Sequence, residues 1–213
     1  MTTLTSERVR GVLDRLYDAE KNDEAVLAAA GPRVFADISA QERTELLAQA
    51  YLPVARENGE FLYLLVRAAA ATRVVEFGTS FGISTIFLAA AVRDNGGGHV
   101  ITTELHPDKA RTASKNLADA GLDDLVDLRC GDALQTLAEP AGPVDLVLLD
   151  GWKNLYLPVL RLLEPSLRAG TTIVADDRTM LPATYLDYVR APENGYHSVE
   201  VPMDDGLEVS VRT

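Results

Sequence analysis

Short apolar runs, each followed at once by glycine or acidic residues, are the leading pattern along this chain. Three of them lie in its middle and later parts: VVEFGTSFGIST (74–85), VDLVLLDGWK (144–153) and TTIVADD (171–177). Apolar runs of this length, bounded by turn residues, are typical of strands buried on both faces of a sheet. Glycine or acidic residues therefore lie at the carboxyl end of each of these predicted strands.

From residue 73 onward, apolar runs alternate with helical segments, which favours a parallel sheet flanked by helices. The tail changes character, because Asp204, Asp205 and Gly206 form a hairpin-type turn between two extended runs. The chain is therefore predicted to be α/β, with a mostly parallel sheet closed by a C-terminal antiparallel hairpin. We predict strands over residues 73–77, 99–104, 125–130, 145–149, 171–175, 196–203 and 207–212.

The region before residue 73 has the periodicity of helices. Gly31 and Pro32 divide it, and Ser39 followed by Glu42 predicts a helix start with a capping box. No repeat or low-complexity linker marks a boundary, so we predict one domain over 1–213, with a helical cover at 1–72 and an α/β core at 73–213. Buried helix faces are predicted from two sets of residues, Val9, Val12, Leu13 and Leu16, and Phe61, Leu64, Leu65 and Ala68.

Composition restricts the class of protein. The chain has 213 residues, 47% hydrophobic and 24% charged, the mixture of a soluble globular domain. No apolar run reaches the roughly 18 residues of a membrane span, and the N-terminus lacks a signal-like apolar core, so we expect a cytoplasmic protein without a membrane partner. A net charge of −12 argues against nucleic acid as a partner. The single cysteine, Cys130, is expected to be a small buried thiol.

Residues that suit a nucleoside follow the first three predicted strands. Gly78 and Gly82 allow a tight turn after the first strand, and Ser84 opens the next helix, where a ligand carboxylate can bind. Glu104 ends the second strand and can accept hydrogen bonds from both hydroxyls of a ribose. Asp132 follows the third strand and can accept a hydrogen bond from an adenine amine. The alternative is that Glu104 and Asp132 are ordinary solvated loop acids.

Three acids follow the fourth and fifth predicted strands. Asp150 ends one strand and the pair Asp176 and Asp177 ends the next, and neighbouring strands lie about 4.8 Å apart, so we expect these carboxylates to converge. Oxygen ligands without nearby histidine or cysteine suit Mg²⁺, with Mn²⁺ or Ca²⁺ as alternatives, rather than zinc. The competing interpretation is that these aspartates only cap helices or turns.

Lys153 and Trp152 directly follow the acid of the fourth strand. Lysine is rare here, at four against sixteen arginines, so Lys153 is a candidate proton acceptor for a hydroxyl made acidic by the metal. Trp152, the only tryptophan, can pack on an adenine or form a wall of an acceptor pocket. The alternatives are an exposed lysine at a helix start and a tryptophan of the core.

These motifs together resemble the catechol O-methyltransferase family and its small, metal-dependent bacterial relatives. The likeness extends from about residue 57 to the C-terminus and rests on VVEFGTSFGIS, Glu104, LLDGWKNLYLP, VADD, DYVR and DGLEVS. It implies a Rossmann-like class I methyltransferase fold with a seven-stranded sheet, and S-adenosylmethionine as cofactor. It also implies metal ligands at Asp150, Asp176 and Asp177, a base at Lys153, and cofactor contacts at Glu76, Gly78, Ser84, Glu104, Asp132, Asp150 and Trp152.

The chain departs from the family pattern at three places. Asp177 stands where the family usually has asparagine, which adds a negative charge to the acid cluster. The substrate-orienting carboxylate of the mammalian enzymes falls near Glu200 but misses it by one position. The N-terminal aromatic gate of those enzymes has no clear counterpart.

The expected activity is Mg²⁺-dependent methyl transfer to one hydroxyl of a vicinal-diol-type acceptor. A phenolic, catechol-like acceptor and a sugar or oligosaccharide acceptor remain equal alternatives. A nicotinamide-dependent oxidoreductase using the same glycine turn, and a noncatalytic subunit with the methyltransferase fold, are the competing functions. The arginine-rich, alanine-rich composition suggests a bacterial source, and a homodimer is left open.

Overall fold

A seven-stranded sheet forms the centre of the protein. The structure is a computed structural model that describes residues 2–35, 38–139 and 142–213. The strand order is β3-β2-β1-β4-β5-β7-β6, in which β1 to β5 are parallel and β7 runs antiparallel to β5 and β6. The strands are β1 (Arg73–Phe77), β2 (His99–Glu104), β3 (Val126–Cys130), β4 (Val144–Leu149), β5 (Leu167–Ala175), β6 (Tyr196–Val201) and β7 (Leu207–Arg212).

Helices cover both faces of this sheet within the described ranges. Four of them precede the first strand, and the others lie between strands. They are α1 (Glu7–Glu20), α2 (Asp23–Ala30), α3 (Ala40–Leu46), α4 (Arg56–Ala68), α5 (Ile83–Asp94), α6 (Pro107–Ala120), α7 (Ala133–Thr136), α8 (Tyr156–Leu163) and α9 (Ala183–Arg190).

Alternation along the strands divides the core into two layers. Successive strand residues point to opposite faces, so Val74 packs with α1, α4 and α5 on one face, and Val75 packs with α8 and α9 on the other. Leu146 and Val147 repeat this division in β4. The apolar runs of the sequence are continuous because both faces are covered.

The strand predictions are close to the structure. The first, second and last predicted strands have the observed bounds, and the parallel-sheet-plus-hairpin architecture is confirmed. The fifth strand begins four residues earlier than predicted, because Leu167 already pairs with Val144 ahead of a register shift. The other bounds differ by one or two residues, such as Val126 for the start of β3 and Val201 for the end of β6.

Two predictions about the N-terminal helices need correction. Of the predicted buried face of α4, Leu64 is 61% exposed, Ala68 is exposed as well, and Phe61 and Leu65 are only partly buried. The buried side instead carries Asn58, Gly59, Leu62, Tyr63 and Val66. This side is selected because the helix approaches α5 closely enough that a side chain at Gly59 would collide with the Phe87 ring. The predicted buried faces of α1 are correct, with Val9, Val12, Leu13 and Leu16 all in the core.

The predicted capping box is half formed. Ser39 caps α3 by accepting a hydrogen bond from the Glu42 backbone amide at 3.1 Å. The Glu42 carboxylate, however, accepts a hydrogen bond from Arg33 at 2.6 Å. Ser39 is therefore a one-sided cap, and Glu42 connects α3 to the turn that follows α2.

The expectation for Cys130 is wrong. The residue ends β3, which is an edge strand of the sheet, and its thiol is exposed. Central strands of this sheet are covered on both faces, whereas the edge position leaves β3 only partly buried. None of the described helices is both long and apolar enough to cross a membrane.

A buried ion pair ties the hairpin to α9. The Glu208 carboxylate is fully buried and accepts hydrogen bonds from Arg190 at 2.8 and 2.5 Å, and from the Ser198 hydroxyl at 2.6 Å. Burial raises the pKa of Glu208, but the hydrogen bonds and the Arg190 charge outweigh it, so the pKa is lowered overall. Glu208 thus stabilises the fold in its charged form.

We predict that Glu208→Gln lowers the free energy of unfolding at pH 7 by about 1–3 kcal/mol, the range for hydrogen bonds to charged groups. Because the folded pKa is lowered, this stabilisation is complete above the unfolded pKa of about 4.3 and is lost as pH falls through the folded value. Urea denaturation at neutral and acidic pH measures the difference from the parent. A difference that does not shrink in acid would contradict the prediction, and Glu60→Gln, at an exposed residue, is the control.

Candidate active site

A cavity of about 810 Å³ opens at the carboxyl ends of the parallel strands. It lies where the strand order reverses between β1 and β4, the position at which open α/β sheets bind ligands. The sheet provides its floor, and side chains of the N-terminal region, among them Leu27, Thr44 and Leu52, provide an opposite wall. The predicted site residues on its lining are Gly78, Ser84, Glu104, Asp132, Asp150, Trp152, Lys153 and Asp177.

The glycine turn after β1 depends on the absence of side chains. Gly78 has a φ of 107°, and a Cβ atom there would lie 2.5 Å from the carbonyl oxygen of Asp150. Gly82 has a φ of 92° and immediately precedes α5. These conformations favour glycine, and they let the backbone after β1 pass against the end of β4. The turn therefore brings the first and fourth strand ends together.

Glu76 lies beneath this turn and does not reach the cavity. Its carboxylate is 0% exposed and accepts hydrogen bonds from the hydroxyls of Ser84 at 2.6 Å, Thr85 at 2.5 Å and Thr102 at 2.6 Å. Burial raises the pKa of Glu76, and the three hydroxyls oppose that effect. In this geometry Glu76 shapes the turn, and the Ser84 hydroxyl, although at the cavity edge, is already donated to Glu76.

Glu104 and Asp132 do face the cavity. The Glu104 carboxylate is fixed by two backbone amides, those of Ser80 and His106, each at 2.8 Å. Asp132 caps α7 by accepting from the Leu134 amide at 2.9 Å. A carboxylate has about four acceptor sites, so these bonds orient Glu104 and Asp132 and leave lone pairs for a ligand.

The three aspartates converge as predicted. One carboxylate oxygen from each of Asp150, Asp176 and Asp177 lies within 4.8 Å of the others. Burial and then the charge of Asp176 raise the pKa of Asp150 well above its usual range. Burial and the charge of Asp177 raise the pKa of Asp176 to about 6. Like charges are therefore crowded at the ends of β4 and β5.

Lys153 is the partner of this cluster. Its Nζ lies 2.7 Å from Asp177 Oδ2 and 3.8 Å from Asp150 Oδ1, and it donates a hydrogen bond to the Tyr156 hydroxyl at 2.7 Å. The Tyr156 hydroxyl in turn donates to the backbone carbonyl of Asp176 at 3.4 Å. Lys153 is thus held on three sides, and Tyr156 is a site residue that sequence reasoning missed although it lies within the LLDGWKNLYLP motif.

Asn58 is a second residue that the sequence did not reveal. It begins the buried side of α4, and its Nδ2 donates to Asp176 Oδ1 at 3.4 Å. Its Oδ1 is buried and has no hydrogen-bond partner among the described residues. Its distance in sequence from Asp176 leaves no local pattern that would have joined the two.

The residue set fits a hard divalent cation. Carboxylate oxygens are the preferred ligands of Mg²⁺ and Ca²⁺. Three aspartates face one ammonium group, that of Lys153, so the charges of the described side chains do not balance. Burial first, and then the charges of the neighbouring aspartates, raise the pKa values of Asp150 and Asp176.

Trp152 joins the site to the N-terminal helices. Its indole nitrogen donates a hydrogen bond to the Thr44 hydroxyl on α3 at 3.1 Å. Its ring packs beside Val34, Leu47 and Ala50, a small apolar cluster separate from the main core. Trp152 is therefore a wall residue of the cavity that also holds α3 in place.

Glu200 does not take part in the cavity. It lies on β6, is about half exposed, and forms ion pairs with Arg178 at 3.1 Å and Arg190 at 3.6 Å. Asp205, in the hairpin turn before β7, lines the cavity instead. In this chain Glu200 is therefore engaged with arginines on the hairpin side rather than with the cavity.

Comparisons with known proteins agree with this geometry. A family model described as a methyltransferase domain matches residues 75–178. The chain is 38% identical to a catechol O-methyltransferase of Niastella koreensis over 63% of each chain. It is 36% identical to the catechol O-methyltransferase of Mycobacterium tuberculosis over 72% of this chain and 68% of that protein. The solved structure of a Bacillus cereus O-methyltransferase in complex with SAH is 25% identical, with a TM-score of 0.69 over 93% of this chain and 100% of that one.

The strand order, the glycine turn and the cavity at the switch point define a Rossmann-like methyltransferase of class I. The chain belongs to the family of S-adenosylmethionine-dependent O-methyltransferases that includes catechol O-methyltransferase. The chain covers 63% of the length of the Niastella koreensis protein, which is less than two thirds, and 68% of the length of the Mycobacterium tuberculosis protein.

We predict that Asp176→Asn stabilises the metal-free protein by about 1–2 kcal/mol, because it removes one of three crowded carboxylates, and burial together with the charge of Asp177 raises the pKa of this one to about 6. The free energy of unfolding in EDTA is the measurement. Asp187→Asn, at an exposed position of α9, is the control and should change stability little. A loss of stability in Asp176→Asn would show that the repulsion is not a cost to the fold.

Proposed function

We propose that this chain transfers the methyl group of S-adenosylmethionine to one hydroxyl of an acceptor with two adjacent hydroxyls, assisted by a divalent cation, Mg²⁺ by preference. The observation that carries the proposal is the meeting of two residue sets in one cavity. Glu104, Asp132 and the glycine turn suit a nucleoside, and the aspartate cluster with Lys153 lies next to them. Mn²⁺ and Ca²⁺ are the alternative ions.

The cofactor is assigned to the half of the cavity above β1, β2 and β3. Glu104 accepts hydrogen bonds from the ribose hydroxyls, and Asp132 accepts one from the adenine amine. The backbone at Gly78 allows the ligand to approach closely. Glu76 supports this half from below through its hydrogen bonds to Ser84, Thr85 and Thr102, rather than by contact with the ligand.

The cation is assigned to Asp150, Asp176 and Asp177. Bound there, it would supply Lewis acidity that lowers the pKa of an acceptor hydroxyl. Asn58 holds the Asp176 carboxylate by its amide, so this ligand is oriented from α4 as well as from β5. Asp177 supplies a third carboxylate where the family usually has asparagine, which adds one negative charge to the set that faces the cation.

Lys153 is assigned the proton transfer. As the acceptor oxygen forms a bond to the methyl carbon and the carbon–sulfur bond breaks, the hydroxyl proton passes to the Lys153 amine. Tyr156 orients that amine at 2.7 Å.

The cavity walls favour a phenolic acceptor over a saccharide. The side opposite the cofactor half is formed largely by apolar side chains, which suit the face of an aromatic ring. Sugars need a larger number of polar partners than this wall offers. The apolar lining residues on that side are Leu27, Val34, Leu47, Leu52, Trp152, Leu155 and Met180.

The direct test is a methylation assay with S-adenosylmethionine, Mg²⁺ and either benzene-1,2-diol or a methyl glycoside with vicinal hydroxyls. We expect S-adenosylhomocysteine to form with the diol, little with the glycoside, and none after EDTA. Turnover that is indifferent to EDTA would exclude the metal role. A melting point raised by NAD and not by S-adenosylhomocysteine would favour the oxidoreductase alternative.

We predict that Lys153→Met lowers kcat by about 10²–10⁴-fold, the range for loss of a general base, while the affinity for S-adenosylhomocysteine is retained. Steady-state kinetics and calorimetry measure the two quantities. Lys115→Met, at an exposed lysine of α6 paired with Asp119, is the matched control. Undiminished turnover in Lys153→Met with intact cofactor binding would remove the base role.

A further inference from the structure

Lys109 is a buried lysine that the proposed chemistry does not use. It lies on α6 at the cavity wall and is only 6% exposed. Its Nζ donates hydrogen bonds to the backbone carbonyl of Ala50 at 2.6 Å and to the Ser80 hydroxyl at 3.3 Å, and lies 5.2 Å from the centre of the Phe81 ring. Among the described residues it forms no ion pair within 4.0 Å, which is unusual because buried lysines are nearly always paired with acids.

The backbone that Lys109 holds is a short segment between α3 and α4, which we call the strap (residues 50–52). The Asp23 carboxylate accepts hydrogen bonds from the strap amides of Tyr51 at 2.8 Å and Leu52 at 2.7 Å. Leu52 has a φ of 45°, a left-handed conformation that a leucine adopts only when its surroundings impose it. Lys109 and Asp23 therefore both hold the strap in place through hydrogen bonds to its backbone.

The strap rests on the glycine turn. The Ser80 hydroxyl donates to the Tyr51 carbonyl at 2.7 Å, and the Tyr51 ring stacks on Phe81 with a centroid distance of 4.1 Å. The Ser80 amide donates to the Glu104 carboxylate. One connected set of contacts thus runs from the residue assigned to the ribose, through the turn, to the segment that carries the acceptor-side wall.

We propose that Lys109 is a positioning residue that locks the strap onto the glycine turn, so that binding of cofactor and binding of acceptor strengthen each other. The proposal rests on the proposed function, since it gives the two halves of the cavity their ligands. The buried Ala50 carbonyl has Lys109 as its donor, and an apolar side chain would leave that carbonyl unpaired. Burial lowers the pKa of Lys109, and the charges of Glu104 and Asp23 oppose that effect without cancelling it. A lysine at this position therefore carries a burial cost that an apolar core residue would avoid.

The test is Lys109→Met, compared with Lys115→Met on the exposed face of the same helix. S-adenosylhomocysteine is titrated by calorimetry with and without benzene-1,2-diol, which gives the factor by which each ligand tightens the other. Trp152, the only tryptophan, reports the acceptor-side wall through its fluorescence, because its indole is bonded to α3. For Lys109→Met we expect about tenfold weaker binding of S-adenosylhomocysteine, loss of the mutual tightening, and a red-shifted Trp152 emission. Lys115→Met should match the parent in all three.

A merely structural role for Lys109 would lower the melting point and leave the mutual tightening unchanged, which would overturn the proposal. Parent-like affinity together with parent-like emission would overturn it as well. If Lys109→Met does not fold, Asp23→Asn decides, because it loosens the strap from the other side without altering a residue that lines the cavity. A folded Asp23→Asn with unchanged tightening would also refute the role of the strap.

Failure of the proposed function is recognised separately. If the parent binds no S-adenosylhomocysteine, the assigned reaction is wrong. Hydrogen exchange of the Tyr51 and Leu52 amides then still measures whether Lys109 holds the strap, because those amides are bonded to Asp23 in the absence of any ligand. Unchanged exchange in Lys109→Met would end the proposal in that case too.

Discussion

Repulsion between three carboxylates at the ends of β4 and β5 is the physical constraint on which the site depends. Adjacent parallel strands bring Asp150 and the Asp176–Asp177 pair together whatever their charge, because the register of β4 and β5 fixes where each strand ends. One ammonium group, Lys153, balances only part of that charge. The sheet thus holds an arrangement that the side chains alone would not adopt, and the proposed cation would neutralise it.

The hydrogen bonds beneath the cavity hold its residues in place, as the apolar packing around the cavity does. Glu76 is buried with three hydroxyl donors, and Glu104 is fixed by two backbone amides. A buried carboxylate without such donors would be costly to charge, so the hydroxyls offset part of that cost for Glu76. The hydrogen bonds also fix the orientation of both carboxylates around the glycine turn. The ligands proposed for the cavity would meet residues that are already oriented.

The strands of the sheet could be predicted from the sequence because the pattern that marks each strand lies within a few consecutive residues. Runs such as VVEF and VDLVLL alternate between two covered faces and end in turn residues, so their bounds follow from the sequence to within a few residues. The convergence of Asp150, Asp176 and Asp177 followed for the same reason, since strand ends share one edge. The exposed position of Cys130 did not follow, because a strand's place at the edge of a sheet depends on the order of all the strands.

Contacts between segments that are far apart in the chain could not be predicted from the sequence. The side of α4 that is buried was decided by the close approach of Gly59 to Phe87, and Leu64 was misplaced on it as a result. Asn58 beside Asp176, Thr44 on Trp152 and Lys109 on Ala50 each join residues far apart in the chain, and no spacing rule links them. The resemblance to known methyltransferases supplied roles for motif residues but none for these.

The division of the cavity between two stretches of the chain has an evolutionary consequence. Leu27, Val34, Leu47 and Leu52 all precede the first strand, whereas the residues proposed to hold cofactor and cation follow it. Substitutions at Leu27, Val34 and Leu47, which lie outside the strap, can reshape the space offered to an acceptor without replacing a residue at the strand ends. Lineages that share one catalytic half can in this way diversify the compounds they modify by altering a few dozen residues at the beginning of the sequence.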